Sequence, residues 1–110
     1  MENPKTPKQK SQKQEKRAAK DYGGRVIKGS GSGGEKGDVN LRAGIKLEAK
    51  RTDKESLSIK RSWLLKIEEE AFSANKMPAL EIEIQDVHWV MIPEHEFRQY
   101  VEWKKELRDG

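Results

Sequence analysis

Asp38, Glu48 and Lys50 carry the ingredients of a hydrolytic metal centre. A hard divalent cation such as Mg²⁺ prefers oxygen ligands and takes only one or two protein carboxylates, keeping positions for water and a substrate phosphate. Asp38 and Glu48 can supply such a pair. A lysine two residues beyond Glu48, on the same face of a strand, stands where it can orient or help deprotonate a water and offset phosphate charge. Together these groups suit metal-assisted hydrolysis of a phosphodiester. The spacing alone says little, because the chain has 14 glutamates and Glu-x-Lys recurs at Glu102-Trp103-Lys104. The first occurrence gains weight from its surroundings, and the competing reading is an ordinary exposed charged strand face.

Those surroundings are two strand-like segments. Asp38 opens the stretch to Arg42, Ala43-Gly44 follows, and Ile45 to Thr52 returns, which reads as a β-hairpin. In the second segment Ile45, Leu47 and Ala49 alternate with Lys46, Glu48 and Lys50, so Glu48 and Lys50 share a face opposite the apolar one. Before the hairpin, Lys10 to Asp21 is a short basic helix with a possible cap at Ser11 and Gly23-Gly24 as its stop. Arg25 to Lys28 is a short strand, and the glycine-rich run from Gly29 to Gly37 leads to Asp38. After the hairpin, Ile59, Trp63, Leu64, Ile67, Ala71 and Phe72 recur at helical spacing between Ser56 and Ser73. Asn75 to Pro78 break that helix. Leu80, Ile82 and Ile84 then alternate with Glu81, Glu83 and Gln85, a strand follows from Val87 to Ile92, and Pro93 precedes a terminal helix from Glu94 to Leu107. The expected order is α-β-β-β-α-β-β-α, an α/β fold with a mixed central sheet.

The succession GSGSGGEKGDV, IKLEAKRT, SIKRSWLLKIEEEAF and MPALEIEI resembles small PD-(D/E)xK nucleases, especially the phage and archaeal-type Holliday junction resolvases, over about Gln14 to Ile92. That resemblance implies a restriction-endonuclease-like sheet of about five strands flanked by helices. It implies Asp38 and Glu48 as metal ligands, the Ala49 carbonyl as a further ligand, Lys50 as the catalytic lysine and Glu15 as a glutamate contributed by the first helix. Gly37-Asp38 stands where the name-giving Pro-Asp would be. The cofactor implied is Mg²⁺, with Mn²⁺ able to substitute, and no small-molecule cofactor is expected. The substrate implied is branched DNA such as a four-way junction; symmetric cutting of it needs two centres, hence a homodimer. The aromatic terminal helix and the helix containing Ala18-Ala19 are the interface candidates.

Charge is consistent with such a substrate. Up to Lys28 the chain has nine Lys/Arg against three acidic residues, a balance of +6, whereas the remainder carries 14 basic and 16 acidic groups, or −2. A basic arm suits a polyanion, since each lysine or arginine near a phosphate releases condensed counterions. Lys13, Lys16, Arg17 and Lys20 on the first helix, Ser30, Ser32 and Lys36 in the glycine loop, and Arg51 and Lys60 near the second helix are the candidate DNA contacts; a solvated charged surface is the alternative for each. The loop contains Gly-x-Gly-x-x-Gly, but it leads into a strand rather than a helix, which excludes a dinucleotide fingerprint. His88 and His95 lack the spacing of a zinc site.

The 110 residues suit one domain: residues 1–9 as a disordered basic tail and 10–110 as a single catalytic unit. With no cysteine there are no disulfides or thiolate ligands. Nothing reads as a leader or a membrane span, so a cytoplasmic location is expected, in the host cytoplasm if phage-encoded. Two further readings stay open: a non-catalytic nucleic-acid-binding protein, and a nuclease acting on nicked, flap or duplex DNA.

Overall fold

The computed structural model describes residues 6–27 and 38–109, and its element order matches the expected one. Helix α1 spans Pro7–Tyr22. Strands β1 (Gly24–Val26), β2 (Asp38–Leu41) and β3 (Ile45–Thr52) follow, then α2 (Arg61–Ser73), β4 (Met77–Ile84), β5 (Val87–Met91) and α3 (Glu94–Asp109). The five strands form one open mixed sheet in the order β1-β2-β3-β4-β5, with only the β3–β4 pair parallel. That parallel pairing is made possible by α2, which crosses over between the two strands.

Turn chemistry sets the boundaries. Thr6 accepts from the Gln9 amide while the Gln9 side chain reaches back to the Thr6 amide, a reciprocal cap with Pro7 in the first turn. The helix therefore begins before Ser11, and the part of the expected tail from Thr6 to Gln9 is ordered. Gly23 ends it in the left-handed region at φ 74°. A side chain at Gly24 would collide with the Asn40 carbonyl, so the close approach of β1 to β2 requires glycine there. Gln85 and Asp86 both have positive φ, as a two-residue hairpin turn demands. The second helix starts at Arg61 rather than near Ser56, and Ile59 lies outside it, 38% exposed.

The sheet is covered on both faces. On one, Ala18 of α1 packs onto Val39, Leu41, Leu47 and Ala79. On the other, Ile67 of α2 packs onto Leu80 and Ile82, with Leu57, Leu64 and Ile84 around them. Ala18 is fully buried within its own chain, so the Ala18-Ala19 surface is core rather than the interface expected of it. Phe72, expected to anchor α2, is 52% exposed. At the far edge the order changes: every residue of β5 is exposed, and α3 has no buried residue. No helix among the described residues is long and apolar enough to cross a membrane.

Candidate functional site

Antiparallel pairing sets Asp38 directly opposite Glu48. Directly opposed residues project from the same face of the sheet, with Cβ atoms roughly 5 Å apart. This is the α2 face, because Val39 and Leu47, the next pair along, belong to the α1 core. Lys46, Glu48 and Lys50 fall in a row on it by the period-2 rule. Their charges are paired in sequence: Lys46 Nζ lies 3.6 Å from Asp38 Oδ2 and 3.6 Å from Glu70 Oε1 of α2, and Lys50 Nζ lies 3.6 Å from Glu48 Oε1. The Lys50 ammonium also sits 4.7 Å from the centre of the Trp63 ring. Lys50 is thus held between a carboxylate and an aromatic face, which limits its freedom to wander into solvent.

Burial makes this row unlike an exposed charged strand face. Asp38 is 8% exposed, and its Oδ1 has no hydrogen-bond partner. Loss of solvent pushes the Glu48 carboxyl well above the ordinary carboxylate range; a hydrogen bond and the charge of Asp38 push it the same way, while Lys50 opposes them. Glu15, which α1 carries to the same end of β2, is also buried and is pushed up to about 7 by burial and by the Asp38 charge. Carboxyls held above their ordinary range in a half-dry setting gain most from a cation.

The structure therefore brings together Asp38, Glu48 and Lys50, while Glu15 comes from α1 on the other face and is near enough to feel the Asp38 charge. Ala49 lies between Glu48 and Lys50 with its side chain buried on the opposite face. Among the described residues no set of three or more Asp, Glu or His side chains forms a complete metal cage. The two carboxylates of the paired strands match the one or two that Mg²⁺ usually takes from a protein.

Sequence reasoning overlooked Lys46, Glu70 and Gln14. Lys46 was visible as a member of the charged face, but its role as the counter-ion of Asp38 depends on cross-strand register. Glu70 is hidden in the run Glu68-Glu69-Glu70, where only the helix position of α2 selects it. Gln14 is 2% exposed and donates through Nε2 to the Lys50 carbonyl at 3.1 Å, tying α1 to the strand that carries Glu48 and Lys50. No sequence signal marks it.

The candidate DNA contacts divide. Lys13, Lys16, Lys20 and Lys60 are exposed. Arg17 and Arg51 are not free for phosphate. Arg17 binds the fully buried Glu81 at 3.0 Å and Asp21 at 3.2 Å; Arg51 binds Asp53 at 2.6 Å and lies 3.6 Å from Glu83. Arg17, Arg51, Asp53 and Glu83 line a polar cavity of about 390 Å³, and the acidic partners of the two arginines answer the positive charge that the sequence suggested for DNA. Ser30, Ser32 and Lys36 lie outside the described residues. No family model, no curated protein and no solved structure matches the chain.

Proposed function

We propose that the chain is a Mg²⁺-dependent endonuclease of the PD-(D/E)xK type, acting on branched DNA such as a four-way junction. The observation that supports this reading best is the register that sets Asp38 opposite Glu48 with Lys50 beside Glu48. The residues fit the cation: Asp38 presents a buried oxygen without a donor, and Glu48 and Glu15 are pushed up by burial and by the charge of Asp38. Asp38 and Glu48 would hold it, with the Ala49 carbonyl as a further ligand and Glu15 close by. When bound, Mg²⁺ would polarise the phosphate and make a coordinated water more acidic.

The chain's own groups supply the rest. Lys50 places a cation next to the scissile phosphate, where negative charge grows as the bond to the leaving oxygen breaks. Trp63 and Glu48 keep that ammonium in position. Lys46 offsets part of the charge of Asp38 and Glu70 when no divalent ion is held. The exposed lysines of α1, Lys13, Lys16 and Lys20, provide a basic ridge that binds phosphates without reading bases, which favours recognition by shape.

The test is cleavage of a labelled four-way junction beside a matched duplex, in Mg²⁺, in Mn²⁺ or in EDTA, by the wild type and Asp38→Asn. Cutting should require the metal, favour the junction and fall by about 10²–10³-fold in the variant, with junction affinity nearly unchanged. Equal cutting by variant and wild type would remove the assigned site. Tight binding without cutting in either metal would make the chain a binding protein, and equal cutting of both DNAs would leave a nuclease of broader substrate.

A further inference from the structure

Helix α3 is amphipathic with nothing to pack on. Phe97, Tyr100, Trp103 and Leu107 recur along one side at spacings of three and four, and are 52, 45, 53 and 61% exposed. Phe97 stacks on Tyr100 and Tyr100 on Trp103, with ring centres 6.3 and 5.7 Å apart, so the edge is a preformed aromatic ridge. The strand before it is equally bare. Val87, Trp89 and Met91 lie opposite Ile84, Ile82 and Leu80, so they extend the apolar face that α2 covers over β4, yet Trp89 is 71% exposed. Between α2 and β5 lies an open apolar groove of about 380 Å³, lined by Leu64, Ile67, Leu80, Met91, Ile92 and Pro93. The chain therefore carries a ridge without a groove and a groove without a ridge.

We propose that two copies of the chain exchange α3, each laying its Phe97–Leu107 ridge into the α2–β5 groove of the other. Area supports this occupant. An aromatic side chain buries about 150–250 Å² when covered. With roughly half of that still exposed on Phe97, Tyr100, Trp103 and Trp89, the aromatics offer about 400 Å² per copy. Val87, Met91, Ile92 and Leu107 bring the sum towards the roughly 800 Å² per partner of a stable interface. Charge supports it as well. Helix α3 is nearly neutral, with Glu94, Glu96, Glu102, Glu106 and Asp109 set against Arg98, Lys104, Lys105 and Arg108. Such a balance suits neither a nucleic acid nor an anionic membrane surface. The late basic residues Lys104, Lys105 and Arg108 do have a complement in this same chain, Glu68 and Glu69 of α2, and Glu68 is on the groove. The exchange stands independently of the nuclease reading, because no residue of the Asp38–Glu48 centre enters it.

Sedimentation equilibrium of the full chain tests it. The wild type should be a dimer in the micromolar range, and Trp103→Glu should weaken association by at least about 30-fold, the size expected of an interface anchor. Circular dichroism should stay unchanged; Tyr100→Glu is the second variant should Trp103→Glu misfold. The chain has no native cysteine, so disulfide trapping is clean. Mixing Leu64→Cys chains with Trp103→Cys chains should give a cross-linked heterodimer, whereas neither cross-links well alone. A monomeric wild type at 200 µM (about the upper end of the micromolar range), a dimer indifferent to both α3 variants, or cross-linking only within a doubly substituted chain would each overturn the exchange.

Discussion

The two ends of the sheet are built on opposite terms. Around β2 and β3 charged side chains are drawn into pairs: Asp38 lies near Lys46, Glu48 near Lys50, Glu81 is fully buried against Arg17, and Gln14 ties α1 to the Lys50 carbonyl. Around β5 and α3 apolar side chains stand in water, and the ion pairs of α3 are local surface pairs such as Arg98–Glu94 and Lys105–Glu102. Surface pairs of that kind contribute little. A chain this small has only a modest core to distribute. Here it is concentrated under the charged site, which leaves the apolar side chains of β5 and α3 uncovered.

If that contrast is right, damage to the charged end should cost the monomer most. Among the charged groups the largest effect is expected at Arg17. Its guanidinium is the partner of the buried Glu81, with Asp21 and His88 also in contact. Arg17→Met leaves the Glu81 carboxylate buried without its cation, and loss of one member of a buried pair costs about 3–5 kcal/mol. Arg17 keeps some solvent contact, so about 3 kcal/mol is expected, read as a lower urea midpoint with unchanged slope. A loss below about 0.5 kcal/mol would mean that the network behind the sheet is ornamental to stability.

Lys50 comes next and separates chemistry from architecture. Lys50→Met removes the ammonium between Glu48 and Trp63 while keeping a long apolar stem against the ring. Cleavage should slow by about 10²-fold or more, equivalent to roughly 3 kcal/mol of barrier. Melting temperature should change far less than in the Arg17 variant. Equal losses of activity and fold would make Lys50 a structural residue.

How much of this was legible in the residues follows the range of the forces involved. The alternation of Ile45-Lys46-Leu47-Glu48-Ala49-Lys50 fixed which side chains share a face, and the strand bounds Ile45–Thr52 came out as expected. The stops at Gly23 and Gln85-Asp86 are local backbone chemistry and were equally readable. The start of α1 was missed because Thr6-Pro7 was read as tail, although Thr6 and Gln9 form a capping box. What could not be read is whatever depends on partners distant in sequence. The alternation separated Glu81 from Leu80 and Ile82 but did not say what it meets; the β4 face it occupies is the α1 face, where Arg17 waits 64 residues away. The same applies to Arg51, whose positive charge is absorbed by Asp53 and Glu83.

The acidity of the cluster gives a smaller but more diagnostic effect. Glu15 rises from 4.5 to about 7 on folding, first through burial and then through Asp38, and Glu48 shifts the same way. A carboxyl raised on folding favours the native state below its unfolded pKa, and that advantage disappears as pH climbs through the folded value. Stability in EDTA should therefore fall between about pH 4.5 and pH 7 to 8, by an amount of the order of 1–2 kcal/mol once partial solvent access is discounted. Saturating Mg²⁺ should flatten the slope, since it binds the deprotonated form. Asp38→Asn should make it shallower without metal, leaving the part that burial alone produces. A flat profile in wild-type protein under EDTA would break the link between the three carboxyls.

The smallest effect is the one that defines the other end of the comparison. Leu80 is 2% exposed beneath α2, whereas Leu107 is 61% exposed on α3. Leu80→Ala opens a core cavity and should cost about 2–5 kcal/mol at any protein concentration. Leu107→Ser removes a side chain that touches little in the monomer, so at high dilution it should shift stability by less than about 0.5 kcal/mol. As concentration rises the two should diverge in kind. Wild-type melting temperature should climb with protein concentration as association draws on the native state, and Leu107→Ser should suppress that climb while Leu80→Ala leaves its slope in place. A large loss from Leu107→Ser at high dilution would show that α3 is already packed within one copy, and the contrast between the two ends would collapse.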